Sequence, residues 1–459
     1  MPRRSASYEM DMTEGPLLSK IIRFSIPLIL TGVLQLLYNA ADIVVVGRFA
    51  GPTALAAVSS TASLINLIVN VFMGLSLGAS VVVAQDYGAG SMKDVSDTVH
   101  TSISIALICG GLVTVVGIAL ARPMLRWMGS PDEVIGLSSL YVIIYFSGSV
   151  FNMLYNFGAA ILRAVGDTRR PMYFLMLSGL VNVALNLVFV LGFHMSVAGV
   201  ALATIASQAM SAFLVLRCLR HTDSAVHLSL RHLRIVKSKA ARLIKVGLPA
   251  GTQAAIFSVS NVLIQSSINS FGADAMAGNG ASANIEGFVY ASMNAVYSAC
   301  LTITSQNVGA KKPERLGRIM ALSQLCVVTV GVVLGGLVYL FGRPLLSIYC
   351  TEPHVIEMGM LRLTVISLTY FLCGIMDVLV GGLRGMAYSI PPMIISIMGA
   401  CVLRVVWVYT VFAHFHTQFS LYISYPVSWT VTAACHFVCF LIVKKRITKR
   451  LIAERDALA

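Results

Sequence analysis

Residues 22–47 read IRFSIPLILTGVLQLLYNAADIVVVG, an apolar run broken by Pro27 near its start and by the carboxylate of Asp42 near its end. A helix of about 20 such residues crosses roughly 30 Å of hydrocarbon, so this stretch reads as a membrane span. Its landmarks return further along the chain. Ile26-Pro27 recurs as Leu248-Pro249 and Phe49 as Phe271, both at the same offset. Gln85 with Gly88-Ala89 recurs as Gln306 with Gly309-Ala310, Arg122-Pro123 as Arg343-Pro344, and Leu162-Arg163 as Leu383-Arg384, all at a second shared offset that is shorter by a single position. A duplicated apolar chain suggests a two-lobed membrane transporter, whose substrate site commonly lies where the repeats meet.

The remaining sequence is of the same kind. Of 459 residues, 57% are hydrophobic and 11% charged, and the mean hydropathy is +0.83. One soluble core cannot hide that much apolar surface. The expected fold is an all-α membrane protein with twelve transmembrane helices in two pseudo-symmetric six-helix bundles. The spans fall near 22–47, 53–78, 98–121, 136–160, 171–193, 196–218, 243–271, 275–305, 319–342, 358–383, 391–413 and 419–443. Residues 1–20 then form an N-terminal tail, 21–220 the first lobe, 221–242 a basic linker, 243–443 the second lobe and 444–459 a C-terminal tail.

A formal charge of +14 invites a nucleic-acid reading, but the basic residues alternate between loops instead of forming one soluble face. On this assignment 27 of the 33 Lys and Arg lie on one side, including Arg3, Arg4, the run from Arg217 to Lys245 and Lys444 to Arg450. That asymmetry puts both termini in the cytoplasm. Six crossings per half give both halves one orientation, hence an axis along the membrane normal. Arg3-Arg4 flanks a spanning helix instead of marking an export signal. The nine cysteines show no C-x-x-C spacing, and most lie in predicted spans, so neither a disulfide framework nor a zinc site is expected.

Only three of the nineteen acids, Asp42, Glu286 and Asp377, lie well inside predicted spans. Each costs about 2.5–3.5 kcal/mol on insertion scales and needs a partner, a proton or water. Asn182 and Asn186, four apart, share a helical face. Counting inward at about 1.5 Å per residue puts Asp42, Asn186, Thr204 and Asn182 at depths of about 8, 10, 12 and 16 Å, close enough for one site. A carboxylate with amide and hydroxyl oxygens suits sodium, and a desolvated carboxylate equally takes a proton. The competing reading is that the amides and hydroxyl only join neighbouring helices. Glu286 and Asp377 are candidates for a substrate or proton site, or else pair with a buried cation such as Arg404. Asn156 joins them because it is related to Asp377 by the same offset that relates Leu162 to Leu383.

Other patterns are structural. Arg163 and Arg384 close the inner ends of matching spans. Gly74-Leu75-Ser76-Leu77-Gly78 matches G-x-S-x-G but lies in a continuous apolar helix, where its glycines read as G-x-x-x-G for close helix contact. Pro27 and Pro249 are symmetric, as hinges or as simple helix starts. With neither a Walker motif nor H-E-x-x-H, energy should come from an ion gradient.

The segments Gln35 to Asp42 with Val46-Gly47, AILRAVGDTRRP from Ala160 to Pro171, and SQNVGA from Ser305 to Ala310 together resemble the multidrug and toxic compound extrusion (MATE) family. The resemblance covers both lobes. It implies two bundles around a central cavity, opening alternately to each side as a proton or sodium moves in and an organic, often cationic, substrate moves out. Family cation-site residues match Asp42, Asn182, Asn186 and Thr204 in identity and spacing. The second lobe departs from the sodium-linked branch, with Phe257 or Ser258 where that branch has a seventh-span acid and Cys373 near its tenth-span acid.

The expected function is a secondary antiporter of the cell membrane, exporting amphipathic organic compounds by alternating access. It is read as a monomer among membrane lipids, with no enzyme activity, nucleic-acid partner or cofactor beyond its coupling ion. The alternative is a flippase for a lipid-linked precursor, which should line its cavity with cations. Arg404 is the only such cation apparent in the sequence.

Overall fold

The computed structural model describes residues 8–128 and 132–456, so Arg3, Arg4 and the end of the C-terminal tail lie outside it. Among the described residues all regular structure is helical, with no strand. The helices are α1 (Leu17–Val45), α2 (Pro52–Gly88), α3 (Met92–Trp127), α4 (Asp132–Ser147), α5 (Ser149–Ala164), α6 (Arg169–Leu187), α7 (Ser196–Arg220), α8 (Lys237–Asn269) and α9 (Ala273–Gly309). They continue as α10 (Leu316–Leu340), α11 (Gly342–Ser347), α12 (Pro353–Ser367), α13 (Tyr370–Gly385), α14 (Ile390–Ser396), α15 (Leu403–Trp407), α16 (Ala413–Phe415), α17 (Gln418–Tyr422) and α18 (Ser424–Asp456). Wider π-helical turns run on from α1 at Val46–Ala50 and from α6 at Val188–Gly192, and flank α15 at Ile397–Val402 and Val408–Phe412.

Eight of these helical stretches are long and apolar enough to cross a bilayer, or ten when the bent pairs α4–α5 and α12–α13 each count as one span. The sequence suggested twelve. The other two expected spans, 243–271 and 275–305, correspond to α8 and α9, which run to 33 and 37 residues, with α8 ending at Asn269. Polar side chains such as Gln253, Gln265, Asn279 and Glu286 dilute their hydropathy. Large apolar side chains remain exposed, Leu180, Phe213 and Val115 among them, as a lipid-solvated surface requires.

The chain divides into two compact units, one made of residues up to Asp11 with Val33–Ala255, the other of Met12–Gly32 with the chain from Ile256 onward. These bounds differ from those read in the hydropathy pattern. The start of α1 belongs to the second unit, and the basic segment 221–242 is packed into the first. Val226 and Leu228 join the first unit's core with Val95, Phe157 and Leu243. Asp86, 6% exposed, accepts from Lys239 at 2.8 Å, Arg242 at 2.9 Å and Thr98 at 2.6 Å. Burying that carboxylate therefore leaves it fully partnered.

Gly74 and Gly78 serve close packing. A Cβ on Gly74 would lie 2.1 Å from the Gly251 nitrogen, and one on Gly78 2.3 Å from the Leu243 oxygen. Backbone thus meets backbone where α2 crosses α8, a distance only glycine permits. In the second unit, Ile264, Met376, Tyr422 and Trp429 form one core cluster and Ile285, Leu346 and Leu363 another.

Two of the resemblance-bearing motifs have structural roles. Gly166 has φ of +90°, and a Cβ there would fall 2.5 Å from the Met10 oxygen. Asp167 accepts the backbone N–H groups of Arg169 and Arg170 at 3.1 Å each, capping α6. In SQNVGA, Gln306 and Asn307 bracket Met12, accepting its N–H at 2.9 Å and donating to its carbonyl at 3.0 Å.

Candidate functional site

Asp42 is positioned by the crossing of α1 and α6. Tyr38 and Asp42 are one turn apart on α1, while Gly179, Asn182 and Asn186 share a face of α6. A Cβ on Gly179 would lie 1.9 Å from the Tyr38 ring, so the missing side chain admits the tyrosine. Its hydroxyl then donates to the Met176 carbonyl at 3.0 Å. With the helices so registered, Asn186 Nδ2 donates to Asp42 Oδ1 and lies 3.3 Å from Asn182 Oδ1. The two asparagines are buried, Asn186 completely, and Asp42 is half-buried.

The cluster's acceptor capacity exceeds its donors. Asn186 Oδ1 is buried with no hydrogen-bond partner among the described residues. Asp42 forms no ion pair and accepts only from Asn186 among them. A carboxylate and amide oxygens with spare lone pairs form the donor set a hard cation uses. The structure joins three of the four expected cation-site residues. Thr204 donates to the Val200 carbonyl at 2.9 Å within its own helix and makes no hydrogen bond to Asp42. No group of three or more His, Cys, Asp or Glu capable of holding a metal occurs among the described residues.

Glu286 is placed differently. Its oxygens accept from Arg362 Nε at 3.1 and 3.3 Å and from Nη2 at 2.7 Å, a forked ion pair between α9 and α12. Arg362 Nη1 also donates to Asn279 Oδ1 at 2.5 Å, two turns before Glu286 on α9. Both charges are buried, Glu286 to 3% and Arg362 to 8% exposure. Arg362, and not Arg404, is therefore the partner of Glu286. Sequence reading passed over it, although its place in an apolar run was the available signal.

Asp377, half-buried on α13, has no hydrogen bond or ion pair among the described residues. It interacts electrostatically with Arg384 and with Tyr290 and Tyr297 of α9. Asn156, in the first unit, donates to the carbonyl of Asn152 at 2.8 Å and to its Oδ1 at 2.6 Å along α5. Arg404 donates through Nε to Ser428 Oγ at 2.7 Å, and its guanidinium lies over the Tyr425 ring at 4.3 Å.

The family model MatE matches residues 27–188 and again 249–410, two segments of equal length related as Pro27 is to Pro249. The chain belongs to the MATE family. The chain is 28% identical over 438 residues to the probable multidrug resistance protein YoeA of Bacillus subtilis, covering 93% of this chain and 94% of that one. It is 27% identical to the probable multidrug resistance protein NorM of Thermotoga maritima, covering 82% of each. A FAD transporter of Shewanella oneidensis is 23% identical, covering 83% and 84%. The fold is that of a multidrug resistance MATE transporter solved in an outward-facing conformation, with a TM-score of 0.90, 21% identity, and 97% and 100% coverage. Family membership and the run of apolar helices make this a multi-pass membrane protein.

Proposed function

We propose that the protein is a secondary antiporter that exports amphipathic organic compounds, cationic ones among them, by alternating access. The observation that carries this reading is the underpartnered oxygen cluster of Asp42, Asn182 and Asn186. A carboxylate kept inside a membrane helix without a built-in counter-charge is an expense that function justifies. When a proton or sodium binds Asp42, the charge is neutralised and the desolvation penalty of reorienting the site falls. Occupancy by the small cation thereby favours one conformation over the other, which is how an ion gradient drives transport. The names of the Bacillus and Thermotoga relatives support drug-like substrates. The Lys and Arg asymmetry supports placing both termini in the cytoplasm, with the cell membrane as the site of an exporter.

The test is export from proteoliposomes holding the purified chain, with a proton gradient and a sodium gradient imposed separately and a fluorescent cationic dye as substrate. One gradient alone should drive dye movement, and Asp42→Asn should abolish the response while dye binding persists. Gradient-driven export that survives Asp42→Asn overturns the coupling role. Dye movement indifferent to both gradients overturns the antiport reading.

A further inference from the structure

Arg404 is a permanent cation inside an apolar helical stretch of the second unit. It sits midway along the apolar stretch Ile390–Phe415, 8% exposed, between two π-helical segments. No carboxylate pairs with it among the described residues. Its one hydrogen bond, through Nε to Ser428, fixes the guanidinium plane against Tyr425 at 4.3 Å and near Trp429 at 5.6 Å. The terminal nitrogens donate to nothing described, and they are not sealed inside the protein. On the far side of this cluster Tyr425 also lies 5.9 Å from Arg362, whose charge Glu286 cancels. Two guanidinium groups and one carboxylate leave the assembly one positive charge in excess.

We infer that Arg404, with Tyr425 and Trp429, is an anion subsite, receiving the carboxylate or phosphate of an organic anion that carries a planar apolar body. The fork of terminal N–H groups matches those oxygens two at a time, and the aromatic rings give the body a surface to pack on. Tyr425 and Trp429 hold the guanidinium by cation–π attraction while the subsite is empty, which leaves its donors available. The transported compounds thus include organic anions or zwitterions. The inference rests on the transport reading but not on the coupling ion.

The experiment is equilibrium binding to the full chain in phosphatidylcholine nanodiscs without any gradient, with empty discs subtracted. The probes share one ring system: 2-naphthoate, its neutral methyl ester and 2-naphthylmethyl-trimethylammonium. Naphthoate should bind at least about tenfold tighter than the cationic probe. Arg404→Gln should erase that preference by weakening naphthoate alone, and Arg404→Lys should restore part of it. Ser428→Ala, which frees the guanidinium plane without removing charge, should weaken naphthoate by a smaller factor. Equal affinity for all three probes, or equal losses for all three in both variants, overturns the subsite. Discs with phosphatidylglycerol separate two sources of the anion. Competition there makes a lipid phosphate the occupant, and unchanged naphthoate affinity makes it a soluble compound. Because no gradient is applied, loss of the probe preference leaves the exchange reading standing, and failed exchange leaves this one standing.

Discussion

Asp42 and Glu286 are both acids within the apolar helices of a MATE protein, and the chain resolves the same electrostatic difficulty in opposite ways. Glu286 receives a forked guanidinium and is closed. Asp42 receives one amide hydrogen bond beside an asparagine oxygen that has no partner. A buried ion pair with its counter-charge attached to the backbone has nothing left to bind. A carboxylate whose counter-charge must come from outside is the one we propose as the exchange site. The contrast teaches that a carboxylate's partner, more than its depth, decides whether it is structural or functional.

The sharpest attack on that contrast is to open the closed pair. Glu286→Gln leaves Arg362 buried without its counter-ion, at a cost of about 3–5 kcal/mol. Thermal unfolding of the solubilised protein should show a marked drop in Tm. The double variant Glu286→Leu with Arg362→Met should regain most of it, since an apolar pair of similar volume can match a buried ion pair. A double variant as unstable as the single one would assign Glu286 a role beyond charge cancellation.

Asp42→Asn should do the reverse, leaving Tm unchanged or slightly raised while abolishing ion coupling. At a separation of about 4 Å and an effective dielectric of about 20, one charge pair is worth roughly 4 kcal/mol. Removing the carboxylate should therefore weaken cation binding by about a thousandfold. Isothermal titration with sodium, or proton release on substrate binding, measures it. A large Tm loss would place Asp42 in the same structural class as Glu286.

How much of this was readable in advance follows from what a helical sequence encodes. Depth is legible, because each residue advances the helix by about 1.5 Å. Depth counting brought Asp42 level with Asn186, and they touch. The duplication was equally plain, since Pro27 and Pro249 share a register with the two matched segments. Azimuth is less legible. Each residue turns a helix by about 100°, so small errors in a helix start rotate every face. π-helical turns after Asp42, after Asn186 and on both sides of Arg404 shift those faces further. Arg362 was marked by its place in an apolar run, but its pairing with Glu286 depends on which faces of α9 and α12 meet, and the sequence does not give that. Gly179 was the overlooked signal, since a glycine at helical spacing from two asparagines marks where a neighbouring helix approaches them.

A subtler probe works inside the open site. Asn186→Ala removes both the amide that Asp42 accepts from and the unpartnered oxygen. A hydrogen bond to a charged group contributes about 1.5–3 kcal/mol. The lost amide oxygen is the group that can ligate the cation, so by a contact of similar size sodium affinity should fall about tenfold, with exchange slowed but still present. An effect as complete as that of Asp42→Asn would make the amide a cation ligand on a par with the carboxylate, and no effect would remove it from the site.

The smallest expected effect discriminates most finely between the site as spaced in the sequence and the site as folded. Thr204 was grouped with Asp42 by depth, but its hydroxyl donates to the Val200 carbonyl one turn back on α7. Such a bond occupies the proton and orients the hydroxyl along its own helix. Thr204→Val keeps the branched shape and removes only the hydroxyl, so ion affinity and exchange rate should change by less than about threefold, within the net value of one neutral hydrogen bond. If the valine variant loses as much as Asn186→Ala, then the hydroxyl turns toward Asp42 when the cation arrives, and the four-residue site drawn from spacing exists in the loaded state. If it does not, the exchange site is the carboxylate and its two asparagines, and the threonine belongs to the packing of α7.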